Sequence, residues 1–401
     1  MSDRCAGSAF ESYRARRYFP ELDGVRALCV LLVVTVHLYD AHERWWWLAG
    51  ARGVTVFFVL SGYLITSLGL REEAERGTLS LAAFYVRRCC RLLPLYYLTL
   101  AAYCVLIFGL GVGGPSLRET MTEALPYYVT YFQEIPFYSL LIGQGRDLPF
   151  FHSWSLGIEE KFYLVWPLLA FVLWRGLPRR RLTGAVVLLT AFALAPFVLH
   201  QEMRLVGRCL FSYFHLLVGC VVAMLLHDRH NFERLRFLGR AGWRMFALGV
   251  FVAIHFATPW VAEPSHAGTA LHALYGIACA VLLVALVTGG GLLDRLLAWE
   301  PLALVGRLSY GIYLVHLFAI VAAYRLVPAW GGAATSALVY FTACGLSVAA
   351  AWLLALAVER PGIEIGRRWS RRLLDRAAVE ACEAPAVSHR SKGESRSALP
   401  T

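Results

Sequence analysis

The sequence predicts an all-α fold, a polytopic membrane bundle of about ten transmembrane helices. Of the 401 residues, 58% are hydrophobic and 16% charged, whereas average globular chains hold fewer apolar and more charged residues. Several apolar runs reach the length that a membrane-spanning helix needs. About 29 Lys and Arg residues fall on one side of the proposed topology and about 7 in the opposite loops. This asymmetry predicts a multi-pass protein of the inner (plasma) membrane with both termini cytoplasmic.

Three regions follow from this pattern. Residues 1–20 form a polar cytoplasmic leader, residues 21–360 form the membrane domain, and residues 361–401 form a basic, partly disordered cytoplasmic tail. Within the membrane domain, residues 113–152 are less apolar and predict an extracytoplasmic loop with a short or re-entrant helix. The predicted spans lie near residues 22–39, 53–70, 92–112, 155–174, 183–199, 206–226, 243–260, 268–288, 303–324 and 334–358.

Flanking residues justify the first four spans in turn. The first follows an arginine-containing leader and precedes the run 45–47, three tryptophans that are typical of an interfacial anchor. The second ends in the charged sequence REEAERG, and the basic segment FYVRRCCRLLP leads into the third. The fourth ends at RGLPRRR. Charged and aromatic residues at span ends are expected where helices meet the headgroups.

Charge and cysteine content exclude two other classes of function. The net charge of +11 follows from the positive residues on the cytoplasmic side, so it does not indicate a nucleic-acid partner. The ten cysteines have no metal-site spacing, and several lie in predicted spans as small apolar packing residues. We therefore expect no bound metal and no disulfide framework.

The first span carries two ionisable residues, Arg26 and His37. They are eleven positions apart, so they share one stripe of a helix and are separated by about 16 Å along its axis. Ionisable groups inside a span are costly and usually line a polar cavity. The alternative is an arginine that reaches the interface and a histidine hydrogen-bonded within the bundle.

Basic and acidic residues also stand at the ends of later spans. Arg88 and Arg91 are three apart on one helix face, which suits bidentate binding of phosphate, although a lipid-facing basic cluster is equally compatible with the spacing. Glu159 and Glu160 are adjacent, so we expect at most one of them to face a shared cavity. The alternative for these carboxylates is pairing at the interface.

Polar residues inside two further spans complete the candidate set. Tyr313 and His316 lie three apart in the sequence GRLSYGIYLVH, and Ser309 shares the face of His316. Several polar residues in one stripe indicate a cavity, whereas a single one would only link helices. Ser61 precedes Gly62 in the second span, where close helix packing is the favoured interpretation.

Five segments follow one another along the chain: LDGVRALCVLLVVTVHLY, GVTVFFVLSGYLIT, FYVRRCCRLLP, HSWSLGIEEKFYLVWPLL and VGRLSYGIYLVH. Together they resemble the acyltransferase family 3 of membrane proteins, which includes O-antigen, exopolysaccharide and peptidoglycan O-acetylases. The resemblance covers most of residues 20–360. Two positions depart from the family pattern, Thr55 where the family often has Asp and Lys161 where it often has Gln.

The resemblance implies an enzyme that moves an acyl group, expected to be acetyl, from cytoplasmic acyl-CoA to a hydroxyl of a carbohydrate or glycolipid. The expected partners are therefore acyl-CoA as co-substrate, the carbohydrate or glycolipid acceptor, and membrane lipid. We expect His37 to act as general base. The expected catalytic residues are His37, Arg26 and Glu160, and the expected acyl-CoA-binding residues are Arg88, Arg91, His316 and Tyr313.

Two other classes remain open from the sequence. A transporter of a small polar solute would also place Arg and His inside a bundle, but it would more often contain repeats and broken helices. A scaffold would not need so many ionisable residues in its spans. The acceptor could also be a secreted small molecule such as a macrolide sugar.

Overall fold

The protein is an all-helical bundle, which confirms the predicted fold class. The computed structural model describes residues 3–39, 44–199, 204–261, 265–328 and 332–383, and these contain no β-strand. The α-helices are α1 (Asp3–Ala15), α2 (Pro20–Val36), α3 (Arg52–Arg76), α4 (Leu81–Cys104), α5 (Gly114–Val129), α6 (Trp154–Leu168), α7 (Pro178–Val198), α8 (Arg204–His227), α9 (Arg229–Leu235), α10 (Ala241–Ala257), α11 (His266–Thr288), α12 (Leu292–Leu297), α13 (Glu300–Arg307), α14 (Ser309–Leu326), α15 (Gly332–Leu354) and α16 (Arg360–Glu383). Short 3₁₀, α or π turns lie at Trp46–Leu48, Val105–Gly109, Glu134–Pro136, Phe137–Gly143, Phe151–Ser153, Leu169–Leu173, Arg236–Gly239, Thr258–Trp260 and Ala355–Glu359.

Eight helical segments of the described chain are long and apolar enough to cross a membrane, rather than the ten predicted. The predicted spans at 22–39 and 155–174 do form helices, but they do not reach this standard. Helix α2 has 17 residues, and α6 carries two glutamates and a lysine within its 15 residues. Both contain predicted site residues, and polar groups interrupt an apolar run. The eight segments are Trp46–Arg76, Leu81–Gly109, Pro178–Val198, Val206–His227, Ala241–Trp260, His266–Thr288, Ser309–Leu326 and Gly332–Asp375.

Glycines allow α3 and α8 to pack backbone against backbone. A Cβ atom on Gly62 would lie 1.8 Å from the carbonyl oxygen of Leu216, and one on Gly219 would lie 2.0 Å from that of Val59. Small residues are common at such interfaces because lipid tails provide no hydrophobic drive for helix association, so close packing must supply it. The predicted close packing at Gly62 is confirmed.

A second close contact holds the first half of α2. A Cβ on Gly24 would lie 2.0 Å from the carbonyl oxygen of Leu297 in α12, and one on Gly306 of α13 would lie 1.8 Å from that of Asp23. The α2 backbone is therefore clamped between two glycine contacts. Since Arg26 is two residues beyond Gly24, the same contacts fix its position.

The leader and the tail are both in contact with the bundle. Helix α1 buries Phe10 and Tyr13 in the same apolar cluster as Tyr63 of α3, and the hydroxyls of Tyr13 and Tyr63 are 3.1 Å apart. Helix α15 continues through a π turn into α16, which packs on α4 so closely that a Cβ on Gly362 would lie 2.2 Å from Cys90 O. The predicted boundary at residue 360 therefore falls within continuous helix, and residues 384–401 of the tail lie outside the described residues.

Candidate active site

A cavity of about 160 Å³ lies between α2, α3, α4, α6 and α14. Its apolar wall comes mainly from α3. Five of the seven predicted site residues line it, and the other two, His37 and His316, lie together in a neighbouring cluster of histidines. The polar lining residues are Arg26, Ser61, Arg88, Arg91, Ser155, Glu159, Glu160, Tyr163, Ser309, Tyr310 and Tyr313.

Helix α4 turns one pair of arginines toward this cavity and a third arginine away from it. Arg88 and Arg91, three residues apart, both line the cavity, as their spacing predicts. Arg87 instead donates to a carboxylate oxygen of Glu72 at 2.8 Å and to Ser370 Oγ at 2.8 Å. Of these two adjacent arginines, Arg87 therefore has a structural role and Arg88 faces the cavity.

The cavity arginines of α4 make no hydrogen-bonded ion pair among the described residues. Arg88 lies 4.9 Å from the centre of the Tyr163 ring, and among the described residues it has no ion-pair partner. Arg91 Nε is buried without a hydrogen bond and lies 3.7 Å from a carboxylate oxygen of Glu359. Guanidinium groups with unused donors are suited to binding an anionic ligand such as phosphate.

Arg26 reaches the same cavity from α2. Its nearest carboxylate oxygen, on Asp23, is 3.8 Å away. That carboxylate also accepts a hydrogen bond from Tyr18 at 2.6 Å. Burial and the Asp23 carboxylate raise the pKa of Tyr18, so the phenol stays protonated and keeps donating. Asp23 is thus shared, and Arg26 retains donors for a ligand.

Both carboxylates of α6 line the cavity, so the prediction that at most one would do so is wrong. Adjacent helical residues are about 100° apart, and this cavity covers a wider arc of α6 than that. Glu159 accepts a hydrogen bond from Tyr163 at 2.9 Å. In the described part of the chain Glu160 has neither a hydrogen bond nor an ion pair, which leaves its carboxylate for a ligand.

Helix α2 ends at Val36, so His37 caps the helix instead of lying within a continuous span. The ring nitrogen Nδ1 of His37 lies 2.8 Å from Val33 O, the carbonyl that its own backbone N–H would bind in a longer helix. The backbone N–H binds Val34 O instead, at 3.3 Å. The side chain replaces the backbone as partner of this carbonyl, which ends the helix at the site.

Hydrogen-bond partners determine which nitrogen of each imidazole carries the proton. His316 Nδ1 lies 2.7 Å from Tyr313 O, so this nitrogen is the donor and Nε2 has the lone pair. His37 Nδ1 faces that lone pair at 3.2 Å as well as Val33 O, and both of these groups accept. Nδ1 of His37 is therefore protonated, and its Nε2 has the lone pair. Within the described chain this Nε2 has no hydrogen-bond partner.

His152 and Tyr313 join the histidines to the cavity. The ring centres of His152 and His316 are 5.0 Å apart, and those of His37 and His316 are 4.8 Å apart. Tyr313 lines the cavity, donates its hydroxyl proton to His152 O, and accepts from Ser155 Oγ at 2.7 Å. Nδ1 of His152 is buried without a partner. Among the described residues, no cluster of three or more His, Cys, Asp or Glu side chains is arranged so that it could hold a metal ion.

Sequence reasoning missed three residues of this site, Ser155, Tyr163 and Tyr310, and assigned no role to His152. His152 was visible only as a polar residue beside an apolar span, on the 3₁₀ turn before α6. Its partners come from α14, about 160 positions later in the chain, so no local pattern relates them. Tyr163 and Tyr310 look like ordinary aromatic packing residues in sequence.

Comparison with known proteins identifies the family of this chain. Residues 19–356 match the model of the acyltransferase domain family. The chain belongs to acyltransferase family 3. The resemblance drawn from the five sequence segments is therefore confirmed.

The relatives are longer than this chain. YrhL of Bacillus subtilis strain 168 is 32% identical over 319 residues, which is 76% of this chain and 49% of the relative. Peptidoglycan O-acetyltransferase OatA of Listeria monocytogenes is 29% identical, over 75% of this chain and 49% of the relative. O-acetyltransferase OatA of Staphylococcus aureus is 30% identical, over 76% of this chain and 51% of the relative. This chain thus spans about half the length of these relatives. No solved structure matches it.

Proposed function

We propose that the protein is a membrane O-acetyltransferase that moves acetyl from acyl-CoA to a hydroxyl of a cell-wall polysaccharide. Family membership supports the reaction class, and relatives named as peptidoglycan O-acetyltransferases support a carbohydrate acceptor. The observation that carries the proposal is the free Nε2 lone pair of His37, close to a cavity lined by three arginines without a hydrogen-bonded ion pair and by two glutamates.

The arginines would hold the phosphates of the donor. Sites that enclose a drug-sized ligand measure roughly 300–1,000 Å³, and this cavity measures about 160 Å³. Only the narrow acyl-bearing arm of a CoA ester fits inside, so the nucleotide lies outside. Arg88 and Arg91 bind the phosphates by charge-assisted hydrogen bonds at the predicted cytoplasmic side. The arm then extends past Tyr313 toward His37.

In the proposed reaction, His37 Nε2 takes the proton of the acceptor hydroxyl as its oxygen attacks the thioester carbonyl. The new C–O bond forms the ester and the C–S bond breaks. The leaving thiolate accepts this proton from His37 and departs as CoA thiol. The charge that develops on His37 is stabilised by His316 Nε2 and Val33 O, which accept from Nδ1. Arg26 and Glu160 face the acyl arm, Arg26 as donor and Glu160 as acceptor.

The test is acetyl-CoA turnover by the purified protein with a peptidoglycan fragment as acceptor, measured as released CoA by mass spectrometry. His37→Gln keeps approximate size and hydrogen-bonding capacity but removes the base, so turnover should fall about 10²- to 10⁴-fold. The matched control is His215→Gln. His215 is buried and belongs to a second histidine pair, with its ring centre 4.7 Å from that of His272, and it does not line the cavity.

Two results would contradict the proposal. One is turnover of His37→Gln at the wild-type rate. The other is a wild-type protein that binds acetyl-CoA but transfers acetyl to no carbohydrate hydroxyl. Binding of acetyl-CoA to His37→Gln at the wild-type affinity is the check that the variant is folded.

A further inference from the structure

A second, larger cavity lies apart from the candidate active site and shares none of its lining residues. It measures about 460 Å³ and lies between α1, the 3₁₀ turn Arg236–Gly239 and the C-terminal end of α11. Its floor is apolar, built from Tyr13, Phe232 and Val287, whereas its rim carries Arg16, Arg236 and Arg240. A basic rim above an apolar floor suits an anionic amphiphile.

The rim arginines differ in how far the protein neutralises them. Arg16 binds Glu21, and Arg236 Nε lies 3.1 Å from a carboxylate oxygen of Glu233. Arg240 is exposed, and within the described residues its side chain has no hydrogen bond or ion pair. The three arginines thus exceed the two carboxylates that face them by one positive charge.

Backbone groups at the rim add to this positive field. Helix α10 begins directly after Arg240, so its first N–H groups, which have no partner within the helix, lie beside the rim. Gly289 and Gly290 also line the cavity and present backbone without side chains, and Gly289 lies against Gly239. The Arg244 guanidinium lies beside Gly289 and Gly291 and donates to Asp294, which fixes this segment.

The exposed aromatic residues beside the cavity are of the kind expected at the level of the lipid headgroups. Trp243 on the first turn of α10 is 49% exposed, and it meets Phe237 edge to face at 5.3 Å. Phe246, one turn later, is 64% exposed. Tryptophan beside arginine at the start of a spanning helix is typical of a membrane interface. A ligand that reaches Arg240 from this side comes from the bilayer.

We propose that this cavity binds the phosphate headgroup of an anionic phospholipid, with the glycerol and upper acyl chain on its apolar floor. Basic pockets between spanning helices at the cytoplasmic side bind such headgroups. In this site a phosphate group would bind Arg236 and Arg240. A soluble phosphate compound could present the same group, and it is the alternative ligand. The site is independent of the proposed acyl transfer.

The test measures binding of phosphatidylglycerol and phosphatidylcholine to the purified full chain by native mass spectrometry. Arg236→Ala with Arg240→Ala should weaken phosphatidylglycerol binding about fivefold per arginine and about 25-fold together. Arg229→Ala with Arg234→Ala is the matched control, since both are exposed arginines of α9 outside the cavity. Ser12→Trp fills the cavity from an exposed position without removing charge, and it should weaken binding in the same way.

Preference for phosphatidylglycerol over phosphatidylcholine, lost in the double variant and kept in the control, supports the proposal. Equal binding of the two lipids overturns it. So does a double variant with wild-type affinity, provided that Ser12→Trp also binds normally. Binding of ADP or inorganic phosphate without any binding of phosphatidylglycerol would assign the cavity to a soluble phosphate compound and overturn the lipid proposal.

Discussion

His316 is the residue whose replacement best separates a base from the group that positions it. In the structure its Nε2 accepts from His37 Nδ1 at 3.2 Å, while Val33 O accepts from the same nitrogen at 2.8 Å. His316→Leu removes one of these two acceptors with a side chain of similar size. His37 can then also adopt the tautomer in which Nε2 carries the proton. In that tautomer Nε2 has no lone pair and cannot act as the base.

The geometry sets the size of the effect. One hydrogen bond of two is lost, and the net contribution of a hydrogen bond is about 0.5–1.5 kcal/mol. At 1.36 kcal/mol for each factor of ten, the rate constant kcat should fall about 2- to 13-fold. Because His316 does not line the cavity, KM for acetyl-CoA should not change. His316→Gln can place an oxygen near the position of Nε2 and should recover part of the loss.

The assay is the initial rate of CoA release against acetyl-CoA concentration, for wild type, His316→Leu, His316→Gln and His37→Gln. Mass spectrometry is preferable to thiol reagents because the chain itself has ten cysteines. A loss in His316→Leu as large as that in His37→Gln would refute the assignment of roles. A small effect in His37→Gln together with a loss above about 10² in His316→Leu would make His316 the base.

Three further predictions test other parts of the structure. Arg88→Ala should weaken acetyl-CoA binding about 10- to 150-fold, as expected for a lost charge-assisted hydrogen bond. Arg88→Lys should recover part of the affinity, and Arg87→Ala should leave it unchanged. If calorimetry gives the same affinity for Arg88→Ala and the wild type, Arg88 faces lipid and does not bind the donor. Gly62→Ala should lower the melting temperature by several degrees, because the new Cβ at 1.8 Å must reach about 3.4 Å and so separates α3 and α8 by about 1.6 Å, whereas Gly249→Ala, with open space around it, should not. Reporter fusions at both termini should give cytoplasmic signals, and a periplasmic signal from either would exclude the proposed orientation.

The sequence was sufficient for the class of fold and for most of the candidate site. Apolar runs and the distribution of arginine are local properties, and they identified a multi-pass helical bundle. Periodicity placed Arg88 and Arg91 on one face, and the structure turns both toward the same cavity. Periodicity was misleading for Glu159 and Glu160, because the width of a cavity is set by several helices and not by the one that carries the residues.

The number of spans was overestimated for a related reason. The criterion of length and low charge is met by eight segments. The helix of residues 20–36 ends early because the His37 ring takes the carbonyl of Val33, and no propensity scale includes that bond. The apolar run of the helix at 154–168 is interrupted by Glu159 and Glu160, which line the cavity, and by Lys161. Local hydropathy cannot distinguish a span from a helix that carries a polar site.

What the sequence by itself determined is the membrane environment, the helical fold, the family and the identity of the arginines and His37 as candidates. Only the tertiary structure decided that His37, His152 and His316 meet, and which nitrogen of His37 is free. It also decided that Arg87 is structural while Arg88 is not, and that a second basic cavity exists at α10. The physical reason is range: hydropathy and helix periodicity act over a few residues, whereas a tautomer or an ion pair depends on groups that lie hundreds of positions away.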